Sequence, residues 1–413
     1  MNSDWISRRE FVRQGAAAAG CLAAAPSPGA EASRREVPPV ALSYVNPYLE
    51  YTPDGRVFAR KFFEATPAEL PWMQAGIPRL LAGGVRLVVL SHGINDPDLF
   101  PGAAGVDLML RCLDALTVAA QNHPRCVLVQ NKADLREAAG ADKLGVVLHL
   151  TGAPINGSLQ VLRAYARLGV RAIHPFIRNS PLGGDSAFPD ATLTPLGRRA
   201  IREMERGGIL VDLAHANDPT FREVMRIAKL PVLDSHTACR ALRDLPRNRT
   251  DDQLRAIARA GGVVGVHFAS QLLADLTDDP AYPAWRKIIA GVAPTEARMR
   301  ERFPDPFAYL AHRYDALNWP KATGGAVEDG IPVPRATLSR LVDHIEHMIE
   351  VAGVDHVGIG SDYALSNICA GVETADKLPD LAAALRRRGY GGSELAKIMG
   401  GNLLRLFNQV LPT

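Results

Sequence analysis

Short apolar, β-branched runs recur along the chain, and each is followed by a longer stretch whose apolar residues repeat at helical spacing. The runs cover residues 40–43, 85–91, 145–150, 172–176, 209–214, 232–235, 263–268 and 356–361. Helical periodicity fills 158–168, 194–206, 219–228, 251–259 and 337–352, and several of these stretches open on a Ser, Thr or Asp suited to capping. Eight strand–helix units predict an α/β fold in which a parallel sheet closes into a (β/α)8 TIM barrel. The competing open, doubly wound sheet would carry Gly-x-Gly-x-x-Gly after its first strand, and none is found there. The longest interruption, residues 271–334, holds Trp285, Phe303, Phe307, Tyr309, Tyr314 and Trp319, and so predicts a folded insertion over the barrel mouth.

Composition narrows the function. The chain has 413 residues, 47% hydrophobic and 22% charged, with 47 Lys plus Arg against 44 Asp plus Glu. A net charge of +3 over this length gives no basis for nucleic-acid binding, so small-molecule chemistry is the expectation. Five cysteines without short paired spacing exclude a zinc-finger framework or a disulfide-dense scaffold, leaving room for one stray disulfide. At the N-terminus, Ser7-Arg8-Arg9-Glu10-Phe11-Val12 precedes an alanine-rich stretch and the spacer Ala25-Pro26-Ser27-Pro28-Gly29. This order resembles a twin-arginine export signal and is too short and weakly apolar for a membrane span. Residues 1–32 are therefore set apart from the barrel at 37–413. The twin-arginine machinery becomes a partner, and the destination is the periplasm or cell exterior. Lipid anchoring at Cys21 is the weaker alternative, because Ala18 stands where a lipobox has a larger aliphatic residue.

In a (β/α)8 barrel the reactive groups sit at the C-terminal ends of the strands. Four predicted strands end in polar residues: Asp212 to His215, Asp234 to His236, His267, and Ser361-Asp362. Histidines on successive strand ends can converge on one cation, and an Asp from the last strand can move a proton. A metal-dependent hydrolase follows. His215 and His236 form the core of the site, with His267 and His149 as further candidate ligands. Asp212 and Asp234 read as supporting residues. His344 and His347, on one predicted helix, read as outer-ring packing or surface residues.

Seven segments in order carry a family resemblance from about residue 37 onward. They begin Leu193-Thr194-Pro195, Val211-Asp212-Leu213, Asp234-Ser235-His236, Arg247-Asn248-Arg249, Gly261-Gly262-Val263, Val357-Gly358-Ile359 and Gly401-Asn402-Leu403. Together they resemble the membrane (renal) dipeptidase family, zinc-dependent barrel peptidases of the metallo-dependent hydrolase (amidohydrolase) type. The resemblance implies that His215 and His236 bind the second metal, that Arg247 reaches a substrate carboxylate, and that Asp362 transfers protons. It makes a homodimer an expectation as well. Members carry His-x-Asp at the end of strand one, where this chain has Tyr44 and Asn46. The bridging Glu of strand three is replaced by Leu150 or Thr151, and the strand-four stretch from His174 to Asn179 matches poorly. Neutral Tyr and Asn do not supply the anionic field that holds two cations side by side. The expected cofactor is thus one zinc ion or none, with a third ligand from His267, His149 or Asp362.

Three readings follow. The first is an exported hydrolase of a dipeptide or dipeptide-like amide with a one-metal site. The second is a periplasmic tailoring or isomerising enzyme for a peptide-derived metabolite, using Tyr44, His215, His236 and Asp362 without a full metal centre. The third is a non-catalytic peptide-binding homologue gripping a carboxylate through Arg247, with Tyr44 in the binding site.

Overall fold

The computed structural model describes residues 38–93, 100–140, 143–178, 180–316, 333–363 and 367–413. The predicted export signal and Cys21 lie outside the described residues.

All eight predicted strands are present. In chain order they are β1 (Val40–Val45), β2 (Val85–Gly93), β3 (Leu144–Thr151), β4 (Val170–His174), β5 (Leu210–Val211), β6 (Leu233–Thr237), β7 (Val263–His267) and β8 (Val357–Tyr363). They pair in parallel in the order β5-β4-β3-β2-β1-β8-β7-β6. The remaining gap is bridged where Asp212 pairs with Leu233 and the Leu213 N–H donates to the Leu233 carbonyl at 2.7 Å. The result is a nearly closed (β/α)8 barrel. The strand Cys126–Leu128 pairs alongside the first half of β3, and a short hairpin joins Glu50–Tyr51 to Val57–Phe58.

Local sequence explains where the outer helices begin. Thr194 accepts the Gly197 N–H at 3.0 Å with Pro195 in the first turn of its helix, Pro195–Arg206. Thr250 and Gln253 form a reciprocal capping box at the start of Asp251–Arg259. His344 and His347 lie on the outer helix Leu338–Ala352. His344 is buried, accepting the Cys239 N–H at 3.1 Å, while His347 pairs with Asp251 at 2.8 Å. Neither belongs to the barrel mouth. The four described cysteines, Cys112, Cys126, Cys239 and Cys369, are buried and free.

One apolar cluster joins seven strands, through Ala41, Leu87, Val147, Ala172, Leu210, Leu233 and Val263, to Leu403, Leu406, Phe407 and Val410 of the C-terminal helix Asn402–Val410. A single helix can touch so many strands only at one end of a barrel. These residues fall mostly near the strand starts, so the helix plugs the N-terminal end and leaves the C-terminal mouth for chemistry. Asn402 pins it there, donating to the Val354 and Val357 carbonyls at 2.7 and 2.8 Å. Above the plug the interior narrows until only glycine fits: a Cβ on Gly265 would lie 2.2 Å from the Ser235 carbonyl oxygen and 2.4 Å from Ser43 Oγ. Ser43 then reaches across from β1 to donate to that carbonyl at 2.6 Å, forming a polar floor beneath the mouth.

Within the interruption at 271–334 the described part is helical, with Tyr282–Arg302 and Pro306–Ala316. Trp285 and Tyr309 are buried, and Phe307 meets Phe100 edge-on with centroids 5.5 Å apart. Trp319 lies outside the described residues. No helix among the described residues is long and apolar enough to cross a membrane.

Candidate active site

The mouth gathers five histidine rings and one phenol. His215 lies 5.3 Å from both His174 and His236 by ring centroid, His236 lies 5.2 Å from His267, and His149 lies 5.4 Å from His174. The Tyr44 ring stacks on His236 at 3.9 Å. Burial holds the imidazoles of His174 and His236 well below the usual histidine range, and lowers His215 and His267 as well. The charge of Arg247 works in the same direction on all four, against nearby carboxylates at His174, His215 and His267. They are therefore neutral at physiological pH, the form that offers a lone pair.

On the β1–β4 side a continuous hydrogen-bonded chain runs through the interior. Asp212 anchors it: burial alone would raise this carboxyl, but the hydrogen bond from His149 brings it down to about 2. Its carboxylate can only accept, so the His149 Nε2 at 3.0 Å carries the proton, and the His149 Nδ1 accepts from the Ser91 hydroxyl at 2.7 Å. Ser91 in turn accepts from Thr151 at 2.7 Å. Thr151 then accepts from the Tyr44 hydroxyl at 2.8 Å and from the His174 Nε2–H at 2.9 Å. Every proton in the chain is thereby assigned. Burial, reinforced by Asp362, pushes the Tyr44 phenol above its ordinary value, so it stays a donor. The His174 Nδ1 is left buried with no partner among the described residues.

The β5–β8 side is built differently. His215 follows β5 with φ of +67°, and Ser361 and Asp362 each have φ of +64°, a backbone region that L-residues adopt under strain and that concentrates at functional sites. Asp185 Oδ2 lies 3.3 Å from the His215 Nδ1 and also accepts the Arg178 N–H, while its Oδ1 accepts the Ala187 N–H. His215 Nδ1 must then be the protonated nitrogen, so its lone pair sits on Nε2, the arrangement in which a carboxylate orients a metal-binding imidazole. His236 Nδ1 is held at 2.7 Å by Ser235 Oγ. His267 accepts the Ala269 N–H on Nδ1 at 2.9 Å, which leaves Nε2–H to meet Asp362 Oδ2 at 3.3 Å. Asn46 donates to the other Asp362 oxygen at 2.8 Å. Arg247 donates through Nη2 to the His236 carbonyl at 2.7 Å, while its buried Nη1 has no hydrogen-bond partner among the described residues.

These contacts sort the predicted residues. Tyr44, His149, His215, His236, Arg247, His267 and Asp362 all come to the mouth. Both ring nitrogens of His149 and of His267 have protein partners in this arrangement. At the bridging position it is Thr151 whose side chain enters the site, whereas Leu150 belongs to the apolar core. Strand four, whose stretch matches the family pattern poorly, delivers His174 to the centre of the cluster. Asp185 lies in an irregular loop and carried no pattern, whereas Arg249 stood within the segment Arg247-Asn248-Arg249 but was given no role there. Arg249 is fully buried, pairs with Asp234, and donates to the carbonyls of Leu213 and Ala216, clamping the turn that bears His215.

A two-metal centre does not fit: the first position is filled by a neutral hydrogen-bonded network, and no group of three or more His, Cys, Asp or Glu side chains among the described residues could hold a cation. What fits is narrower, two imidazoles whose Nδ1 atoms are held and whose Nε2 atoms have no hydrogen-bond partner among the described residues.

Fold and site together define a barrel of the metallo-dependent hydrolase class. More particularly, the chain belongs to the membrane dipeptidase family (Peptidase family M19), whose profile matches residues 58–412, a family of metallo-dipeptidases. It is 29% identical over 279 residues to an uncharacterized dipeptidase of Schizosaccharomyces pombe. That match covers 65% of this chain and 53% of the yeast protein, so the chain spans about half the length of this relative. Among solved structures it is similar in fold to the probable dipeptidase PvdM from Pseudomonas aeruginosa, with a TM-score of 0.69 and 24% identity, covering 93% of this chain and 98% of that one. A metallo peptidase from Rhodobacter sphaeroides, liganded with a phosphinate mimic of the dipeptide L-Ala-D-Ala, gives a TM-score of 0.66 and 20% identity over 91% of this chain and 100% of that one.

Proposed function

We propose that this chain is an exported hydrolase of a dipeptide or dipeptide-like amide, working with a reduced, single-cation site at His215 and His236. The observation that carries the reading is the Asp185–His215 pair, which fixes the lone pair of His215 on Nε2 beside a second neutral imidazole. The chemistry that a zinc ion or similar cation supplies there is Lewis-acid polarisation of an amide carbonyl and acidification of water.

The chain's own residues do the rest. Arg247, whose buried Nη1 has no hydrogen-bond partner among the described residues, binds the substrate carboxylate through a charge-assisted hydrogen bond. Asp362, held between Asn46 and the His267 Nε2–H, accepts the proton of the attacking water and returns it to the leaving amine. The barrel walls and the stacked Tyr44 ring exclude bulk water from the side where the neutral network lies. Arg8-Arg9 and the apolar stretch after them support twin-arginine export to the periplasm or exterior.

A second reading rests on the filled first-metal position: acid–base or isomerising chemistry on a peptide-derived metabolite, with no cation. Elemental mass spectrometry of the purified protein, prepared without chelator, separates the two. About one equivalent of metal together with amino acid release from dipeptides supports hydrolysis. No bound metal after supplementation, with no release, overturns it in favour of the second reading.

A further inference from the structure

Resting on the reading above, we infer that the cavity beside the end of β3 is the pocket for an uncharged apolar group of the substrate, a side chain or an acyl chain, on the end away from Arg247. The cavity measures about 310 Å³, within the range of small-ligand sites. Phe100, Ile155, Ile177 and Pro181 give it apolar walls, and none of its described lining residues is charged. An ammonium or carboxylate buried there would find no counter-charge among them, whereas an apolar group gains by leaving water.

Continuity with the site comes through Thr151, which lines this cavity and also bonds Tyr44 at 2.8 Å and His174 at 2.9 Å. The cavity is shaped by a loop with an unusual backbone: Gly152, Ala153, Asn156 and Gly157 have φ of 81°, 41°, 46° and 72°. Two of these four are not glycine, so the conformation is held by its surroundings. The holding contacts are visible: Tyr165 donates to the Pro154 carbonyl at 2.7 Å, and the Gly152 N–H donates to the His174 carbonyl at 2.9 Å. Phe100 is in turn backed by Phe307 of the insertion. Arg247 lies behind β6, across β5 from the β3–β4 edge where the cavity opens. A carboxylate on Arg247 and an apolar group in the cavity leave the intervening amide over His215, His236 and Asp362.

The test is calorimetric titration of the purified full-length protein with three probes, Gly-Gly, Phe-Gly and N-hexanoyl-glycine. At least one apolar probe is expected to bind about 10-fold tighter than Gly-Gly or better, and which one does so distinguishes a side-chain pocket from an acyl pocket. Ser180 also lines the cavity, and Ser180→Phe, which fills it, should abolish that preference while leaving Gly-Gly unchanged. Ile177→Asp, should the first variant fail to fold, should reduce apolar binding alone. Equal affinity for all three probes, binding of none of them, or an apolar preference that survives the folded variant overturns the pocket. Arg247→Ala should weaken every probe alike, and an apolar preference without any release of glycine removes the hydrolysis reading while leaving the pocket in place.

Discussion

Arg249 offers the sharpest test of how the site is held. Its guanidinium is fully buried, pairs with the equally buried Asp234, donates to the Leu213 and Ala216 carbonyls, and lies 5.0 Å over the Phe221 ring. Arg249→Met keeps most of the aliphatic volume but leaves a carboxylate and two carbonyls without their charged donor. Removing one partner of a buried ion pair destabilises by about 3–5 kcal/mol, and that loss should appear as a lower urea midpoint with an unchanged slope. Because the two carbonyls flank His215, whose backbone is held at φ of +67°, metal and ligand affinity should fall with stability. Adding Asp234→Asn to the variant removes the uncompensated charge and should recover part of the loss, with a coupling on the order of 1–3 kcal/mol in the double-mutant cycle. A change below about 1 kcal/mol for Arg249→Met, or a double variant no more stable than the single one, would refute the clamp.

Other predictions concern the chemistry. His215→Ala and His236→Ala should each lose bound metal and activity together while circular dichroism stays native, since strand-end residues at the mouth carry little of the core packing. Asp362→Asn should lower kcat by about 10²- to 10⁴-fold with a smaller change in KM, as expected for loss of a proton-transfer group. The triple change Tyr44→His, Asn46→Asp and Thr151→Glu restores the anionic ligand field and should raise the metal content from about one to about two equivalents by elemental analysis. Acidification should destabilise the fold between pH 6.5 and 4. Burial lowers His344 to about 4 from an ordinary value of 6.5, so below pH 6.5 the unfolded chain binds the proton first and stability falls as pH falls. This group alone accounts for roughly 3 kcal/mol by pH 4, and His344→Gln should flatten the pH dependence of the urea midpoint.

The order of elements was legible because periodicity is local. Each strand shows its apolar run and each outer helix its cap within a dozen residues, so eight strands could be placed from the sequence, with ends shifted by no more than a few residues. Strand-end residues were legible for a related reason: in a parallel barrel, the polar residue that closes an apolar run faces the mouth whatever its partners are. Partnership itself was not local. Asn46 meets Asp362, His149 meets Asp212, and Asp185 meets His215, across separations that only barrel closure brings together. Those contacts decide which nitrogen of His149, His215 and His267 carries a proton, and thus why His215 keeps a lone pair on Nε2 while both nitrogens of His149 and His267 are engaged. The departure from the family's strand-one and strand-three pattern could be read from Tyr44, Asn46 and the Leu150-Thr151 stretch. That the vacated position is filled by a hydrogen-bonded chain running to Asp212 depended on side chains from β1, β2, β3 and the end of β5 converging at hydrogen-bonding distance, which tertiary packing alone supplies.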